Sequence, residues 1–131
     1  MDIVLLNKNE MGYVYPAEDT KKKLEQLLND NNHKIYVAIV ADKVVGCIHA
    51  NNYDVIYAPH LKNIMGIAVL ADFQKNGIGK MLLTNVEKWA QVTGAYGIRL
   101  VSGSTRIGAH AFYKNCGYIG SKEQKNIKKM F

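Results

Sequence analysis

The chain has 131 residues, 48% of them hydrophobic, which is enough for one domain with a real core. Its net charge of +6 favours an anionic partner, but the lysines are scattered and lack the interleaved aromatics of a base-stacking surface, so nucleic acid is not the expected partner. No apolar run reaches the roughly 20 residues that span a bilayer, and the N-terminus lacks the pattern of a signal peptide, which favours a cytoplasmic protein.

The first half of the chain predicts helices followed by a β-hairpin. Residues 2–11 are ambiguous: Ile3-Val4-Leu5-Leu6 has strand-like content, but Ile3, Leu6 and Met11 fit one face of a short helix, which we favour. Residues 17–31 predict a helix, with acidic residues in the first turn and leucines at helical spacing. Residues 34–41 and 44–52 are rich in β-branched residues and predict two strands joined by a tight turn at Asp42-Lys43.

The second half predicts a strand–helix–strand unit around a glycine-rich loop. In chain order, the predicted segments are a loop or weakly paired strand end at 51–60, a strand at 61–70, the loop Gln74–Lys80, a helix at 77–93, a strand at 98–101, a helix at 106–115 and a strand at 118–131. The helix at 77–93 is long enough to act as a crossover, which makes the strands on either side of it parallel. The prediction is therefore a single domain, 1–131, of the α/β (α+β) class, with helices flanking a mixed sheet.

The cysteines and histidines do not indicate a redox or metal site. Cys47 and Cys116 each stand among apolar residues, which predicts two buried free thiols rather than a disulfide framework. The four histidines lack the spacing of metal ligands, so no metal is expected.

The loop Gln74–Lys80 lies between a strand and a helix, where backbone N–H groups and the helix dipole favour a phosphate. It is not a P-loop, because Gln74 stands where the first glycine is required and Met81 replaces the hydroxyl residue. It is not the dinucleotide fingerprint either, because Leu82 replaces the third glycine and a hairpin precedes the loop.

A third phosphate-binding pattern does match. Ile67-Ala68-Val69, followed by Gln74-Lys75-Asn76-Gly77-Ile78-Gly79, resembles the pyrophosphate-binding motif of the GNAT N-acetyltransferase superfamily: Arg or Gln, two residues, Gly, one residue, Gly or Ala. Residues 109–118 resemble the second signature of that family, a helix that carries a Tyr followed by Gly and an aromatic residue. The element order also matches, so the resemblance covers nearly the whole chain.

The resemblance implies transfer of an acetyl group from acetyl-CoA to an amine that attacks the thioester directly. In the family, the cofactor lies where the central strand separates from its parallel neighbour. By analogy, backbone groups of Ile67, Ala68 and Val69 hold the pantetheine and acetyl group, and the Val69 amide polarises the thioester carbonyl. The pyrophosphate is then assigned to the loop, namely Gln74, Lys75, Asn76, Gly77, Ile78, Gly79 and Lys80.

The resemblance also assigns the proton transfers. Tyr113 is the expected general acid that protonates the leaving thiolate. Arg106, where the family often has Asn, is expected either to contact a phosphate of CoA or to anchor its own loop. A group of family members has a Glu base where Asn63 stands. Because Asn63 cannot take a proton, water and His49 remain as alternatives.

The resemblance leaves the N-terminus and the amine acceptor open. Most family members begin with a strand before the first helix, so either that strand is missing here or residues 3–6 supply it. A missing edge strand would favour a homodimer. The second signature is similar to that of enzymes that act on small amines, including aminoglycosides. The alternatives are a non-catalytic acyl-CoA-binding regulatory module, suggested by Asn63, and a basic nucleic-acid binder, which rests on charge alone.

Overall fold

A computed structural model of the protein describes residues 17–102, 107–120 and 124–131, so the expectation for residues 3–6 lies outside the described residues. In chain order, the elements are helix α1 (Ala17–Leu28), strands β1 (His33–Val40), β2 (Lys43–Tyr53) and β3 (Leu61–Val69), a 3₁₀ turn (Ala71–Phe73), helix α2 (Ile78–Val92), strand β4 (Gly97–Leu100) and helix α3 (Ile107–Asn115). The chain divides after Arg99 into two compact units, each described by itself. Within the described ranges, no helix is long and apolar enough to cross a membrane.

The four strands form one sheet in the order β1-β2-β3-β4. β2 is antiparallel to both β1 and β3. β4 runs beside β3 in the same direction, because Tyr96 N donates to His60 O at 2.9 Å and, further along both strands, Arg99 contacts Asn63. α2 connects β3 to β4 as the predicted crossover. The sheet is therefore mixed and flanked by helices, which confirms the predicted fold class.

β1 and β2 are joined by a tight turn whose backbone is left-handed at both central residues. Ala41 has a φ of 50° and Asp42 a φ of 62°, the combination of a type I′ turn, which suits the twist of a hairpin. The prediction of a turn at Asp42-Lys43 is wrong by one residue, since Lys43 already pairs with Val40 in the ladder. Alanine is unusual at such a position, so turn propensity alone favours the wrong register.

The core lies between α2 and one face of the sheet. Val86 is fully buried, and Leu82 and Ala90 of the same helical stripe are nearly so, as the apolar spacing predicted. Gly46 of β2 lets the helix approach closely, because a Cβ at this position would lie 3.3 Å from Ile78 Cγ2 and 3.4 Å from Leu82 Cδ1. The first turn of α2 is therefore held directly against β2.

α1 is shorter than predicted. It ends at Leu28 rather than at residue 31. Asn29 Nδ2 donates to a carbonyl of the helix at 3.0 Å, and Asp30 Oδ1 accepts from Asn32 N at 2.9 Å. Short polar side chains that bond to nearby backbone compete with a further helical turn, which explains the early end.

β2 continues to Tyr53, so residues 51–53 are a paired strand end, which was the alternative to a loop. Two further expectations are wrong. The final strand expected at 118–131 is absent from the described residues 118–120 and 124–131, which are rich in lysine and other polar residues of low β-propensity. Cys47 and Cys116 are free thiols as expected, but each is half-buried rather than buried.

Candidate active site

β3 carries a β-bulge near its centre. His49 of β2 pairs with Gly66, but the next residue, Ala50, pairs with Ile64, so Met65 is an extra residue in β3. A bulge bends its strand and increases the local twist, and such bulges are frequent beside active sites. The part of β3 after Met65 is therefore turned relative to the part before it.

The end of β3 directs alternate backbone groups to its two sides. Leu70 N donates to Val45 O at 2.8 Å, which marks a hydrogen-bonded position of the antiparallel ladder. Because such positions alternate, Ala68 directs its N–H and C=O towards β2, whereas Ile67 and Val69 direct theirs to the opposite side. That opposite side is the one on which β4 lies.

β4 is too short to accompany β3 to its end. β4 has four residues, β3 has nine, and the two strands begin side by side, since Tyr96 N donates to His60 O. Ile67 and Val69, at the end of β3, therefore lie beyond the ladder of β4. The geometry suits the expected role of these two residues. Ala68 uses its backbone in the ladder with β2, and its role as a ligand stays a prediction.

The glycine-rich loop is fastened to the end of β3 by Gln74, whose Nε2 donates to Val69 O at 2.9 Å. The backbone is left-handed at Lys75 (φ 66°) and at Gly77 (φ 82°), so the chain reverses direction before α2 begins. Lys75 and Asn76 are exposed. Gln74 N already donates to Ala71 O at 3.3 Å, so its backbone amide is engaged, and Gln74 closes the loop through its side chain instead.

The first turn of α2 presents backbone N–H groups. The first helical hydrogen bond runs from Met81 N to Gly77 O at 3.0 Å. The N–H groups of Ile78, Gly79 and Lys80 precede this bond and have no acceptor within the helix. A Cβ built on Gly77 would meet no atom within 4 Å, so the space beside these groups is open. With the positive end of the helix dipole, they favour a phosphate.

Gly46 brings the end of β3 and the start of α2 together. It pairs with Val69 across the ladder, and a Cβ built on it would lie 3.3 Å from Ile78 Cγ2. The backbone groups of segments 67–69 and 74–80 therefore belong to one continuous surface, which we call the β3–α2 surface. It offers a strand N–H to a carbonyl oxygen and helix N–H groups to an anion.

Tyr113 lies on α3, in the second unit. The helix ends in a Schellman motif, in which Tyr118 N donates to Tyr113 O and Gly117 N to Lys114 O, both at 3.0 Å. Gly117 has a φ of 92°, and the ring centroids of Tyr113 and Tyr118 are 6.0 Å apart. The Tyr, Gly and aromatic of the second signature therefore end the helix and orient two rings. The role of Tyr113 as an acid stays a prediction, and Arg106 lies outside the described residues.

His49, one of the two candidates for the base, pairs with another histidine. Its Nε2 lies 2.9 Å from His33 Nδ1 in β1, so the rings share a hydrogen bond. Burial, and then the charge of His33, lower the pKa of His49 below its usual value of 6.5. His49 is therefore neutral at pH 7. Its Nε2 already shares a hydrogen bond with His33, so this nitrogen does not face the amine substrate.

Asn63 is held by hydrogen bonds on both sides. Its Nδ2 donates to Asn51 Oδ1 at 3.0 Å, and its Oδ1 accepts from Arg99 Nη1 at 2.7 Å. The amide cannot take a proton, and the guanidinium fixes its orientation. Sequence reasoning missed Arg99. The available signal was one charged residue within the apolar strand Ile98-Arg99-Leu100-Val101.

Lys62 is a second residue that sequence reasoning missed. Its side chain is only 2% exposed, and its Nζ lies 2.5 Å from Asn52 Oδ1, 3.0 Å from His60 Nε2 and 4.1 Å from the ring centroid of Trp89. Burial lowers the pKa of Lys62, and the charge of Asp54 opposes that shift. Lys62 therefore ties β3 to α2. In the part of the chain that the structure describes, no three His, Cys, Asp or Glu side chains come together as a metal site.

Comparison with known proteins identifies a family and a shared fold. A model of the acetyltransferase (GNAT) family matches residues 2–118. No curated protein sequence matches significantly. Among solved structures, the aminoglycoside 6′-N-acetyltransferase AAC(6′)-IG from Acinetobacter haemolyticus has a TM-score of 0.84 at 16% identity, over 99% of this chain and 91% of that chain.

Two further structures have the same fold. A transcriptional regulator from Bacillus halodurans C-125 has a TM-score of 0.83 at 20% identity, over 98% of this chain and 91% of that chain. The aminoglycoside N-acetyltransferase AAC(6′)-Iy in complex with CoA has a TM-score of 0.78 at 16% identity, over 87% of this chain and 88% of that chain. At such identities the likeness shows the fold alone.

Proposed function

Because the chain belongs to the acetyltransferase (GNAT) family, we propose that it transfers the acetyl group of acetyl-CoA to a primary amine of a small molecule or peptide, by direct attack in a ternary complex. The observation that carries this proposal is the β3–α2 surface. Its helix end suits a diphosphate, and its strand end suits the oxygen of a thioester.

Acetyl-CoA fits the groups on this surface. Its pyrophosphate would be held by the N–H groups of Ile78, Gly79 and Lys80, where the open space beside Gly77 leaves room for it. The positive charge of Lys80 favours the same anion. The pantetheine and the acetyl group would follow β3 beyond the end of β4, where the N–H groups of Ile67 and Val69 point away from β2.

The reaction needs one group that donates a proton and one group that takes a proton. The amine nitrogen attacks the thioester carbon while the Val69 N–H stabilises the negative oxygen, and the carbon–sulfur bond then breaks. Tyr113 gives its proton to the leaving thiolate and regains one, through water, from the nitrogen as the amide forms. An alkylammonium with a pKa of about 10 must first lose a proton. Asn63 cannot take that proton and His49 is engaged with His33, so we assign it to water.

Release of free CoA thiol from acetyl-CoA, measured across a panel of primary amines, tests the proposal. We expect amine-dependent release and a product heavier by one acetyl group. Tyr113→Phe should lower kcat by about 10²-fold, the usual contribution of general acid catalysis. Tyr118→Phe, which removes a hydroxyl from the ring that contacts Tyr113, should have a much smaller effect. Equal losses in the two variants would reject Tyr113 as the acid.

The pH dependence of kcat/KM separates water from His49 as the proton acceptor. If water takes the proton, kcat/KM should rise with the fraction of the amine that is unprotonated. The midpoint of this rise should follow the pKa of the amine that is used. With His49, an additional ionisation should appear below pH 6.5, since the pKa of His49 is lowered, and should disappear in His49→Gln. If the midpoint is the same for every amine and disappears in His49→Gln, the assignment of the proton to water is wrong.

One observation favours a second function, a non-catalytic acyl-CoA-binding regulatory module. Asn63 accepts a hydrogen bond from Arg99 and offers no base. Under this alternative, calorimetry would detect CoA binding, whereas no amine in a broad panel would stimulate thiol release.

A further inference from the structure

Arg99 is held in place but only partly used. Its Nη1 donates to Asn63 Oδ1 at 2.7 Å, and its Cζ lies 4.3 Å from the ring centroid of Tyr53. Stacking on the ring fixes the plane of the guanidinium, which carries several further N–H donors. Within the described ranges, no carboxylate lies within 4.0 Å of it. The half-buried cation therefore retains donors for a planar anion.

The surroundings of Arg99 add a further hydrogen-bond donor. Tyr57, whose side chain is 80% exposed, forms a side-chain hydrogen bond with Tyr53. That bond raises the pKa of Tyr57, whereas the charge of Arg99 lowers it, so the hydroxyl lies within the field of the guanidinium. A guanidinium beside phenol hydroxyls is well suited to a carboxylate, which accepts from arginine in a bidentate manner.

Arg99 stands beside the strand that carries the proposed thioester site. It contacts Asn63, which precedes the bulge at Met65 and the binding positions Ile67 and Val69 of the same strand. Four residues of extended strand, from Asn63 to Ile67, span about 13 Å. An acceptor that lies along β3 with its amine at the thioester can therefore extend its far end towards Arg99.

We propose that Arg99 binds a carboxylate of the amine acceptor, so that the preferred substrates are amines that carry a carboxylate several bonds away, as in ω-amino acids or short peptides. This inference rests on the proposed acetyltransferase function and deepens it. It also predicts that polycationic amines such as aminoglycosides are poor acceptors, because a positive guanidinium at the acceptor site repels them.

The test uses acceptors that differ only in this charge. The ω-amino carboxylates from β-alanine to ε-aminocaproate are each compared with their own amide in the thiol-release assay. The best carboxylate should exceed its amide in kcat/KM by roughly tenfold to a hundredfold, as expected for a hydrogen bond to a charged group. Arg99→Gln should bring this ratio close to one, chiefly through a loss of kcat/KM on the carboxylate.

Two control variants make the result specific. Lys88→Gln removes the same charge from the exposed side of α2 and should leave the carboxylate-to-amide ratio unchanged. Arg99→Lys keeps the charge without the planar fork and should retain part of the preference, and it remains readable if Arg99→Gln does not fold. A merely structural role of Arg99 would lower both activities together and leave the ratio unchanged.

The outcomes also separate this inference from the proposed function. An equal loss on carboxylate and amide in the Arg99 variants, or a wild-type preference for neutral or polycationic amines, would overturn the inference and leave the acetyltransferase function intact. If CoA binds but no amine of any charge stimulates thiol release, both fall.

Discussion

Gly77 offers a position for a charged side chain beside the space proposed for the pyrophosphate, at a cost of about 1–2 kcal/mol for a non-glycine residue in the left-handed region. It is the N-cap of α2, with a φ of 82°, and a Cβ there would meet no atom within 4 Å. Aspartate tolerates the left-handed region better than most residues and is a favourable N-cap. Gly77→Asp should therefore fold and project its carboxylate into the space that we assign to the pyrophosphate.

The expected loss of affinity follows from Coulomb repulsion. A carboxylate about 5 Å from the diphosphate is repelled by about 0.8 kcal/mol for each negative charge, even at the dielectric constant of water. Two charges give about 1.7 kcal/mol, which corresponds to roughly 15-fold weaker binding of CoA, and a lower local dielectric constant increases the loss. Gly77→Asn has nearly the same volume without the charge, so the difference between the two variants isolates the electrostatic part.

Gly94→Asp is the matched control, because Gly94 follows the other end of α2, has a φ of 79° and also has open space around it. A negative charge at a helix C-terminus is unfavourable by about 0.3–1 kcal/mol, so this variant should be the less stable of the two in urea. Its Kd for CoA, measured by calorimetry, should equal that of the wild type. If Gly77→Asp binds CoA as tightly as Gly94→Asp does, the pyrophosphate does not lie at this loop and the reasoning is refuted.

Two further predictions concern stability. Gly46→Val should lower the free energy of unfolding by about 1–3 kcal/mol in urea titrations, since a Cβ would already lie 3.2 Å from Ala68 O. Unchanged stability would mean that α2 does not pack against this glycine. The lowered pKa of Lys62 means that the unfolded chain binds more protons than the folded chain between the folded-state pKa and 10.5. Stability should therefore rise with pH in that window, and Lys62→Met should flatten this rise. An unaltered slope in Lys62→Met would contradict the assignment.

The loop and helix start that we propose for the cofactor could be predicted because their determinants are local. A left-handed glycine at position 77, a helix that begins one residue later and a strand that ends shortly before are all visible in a short stretch of sequence. Gly94 and Gly117, which follow the ends of their helices, likewise have a left-handed backbone. The hairpin turn was misplaced because its left-handed Ala41 contradicts ordinary turn propensity, and only the pairing of the strands decides the register.

The side chains that we propose for the amine acceptor could not be predicted from the sequence, because they meet across strands. Arg99 and Asn63 are 36 positions apart in sequence, and no local pattern joins them. His33 and His49 meet only because β1 and β2 pair in one particular register. Which side chains share a face of a sheet depends on every irregularity between them, and a single extra residue exchanges the two faces.

The bulge at Met65 decides both features of the proposed site. Without the bulge, Met65 would pair with Ala50, and the register of His49 with Gly66 would continue and place Asn63 opposite Asn52. With it, Asn63 lies opposite Asn51 and meets Arg99, while Lys62 pairs with Asn52 and is buried against α2. The same kink turns the end of β3, where alternate N–H groups lie beyond the reach of β4. One inserted residue therefore sets the strand surface proposed for the thioester and also selects the side chains that would face the amine.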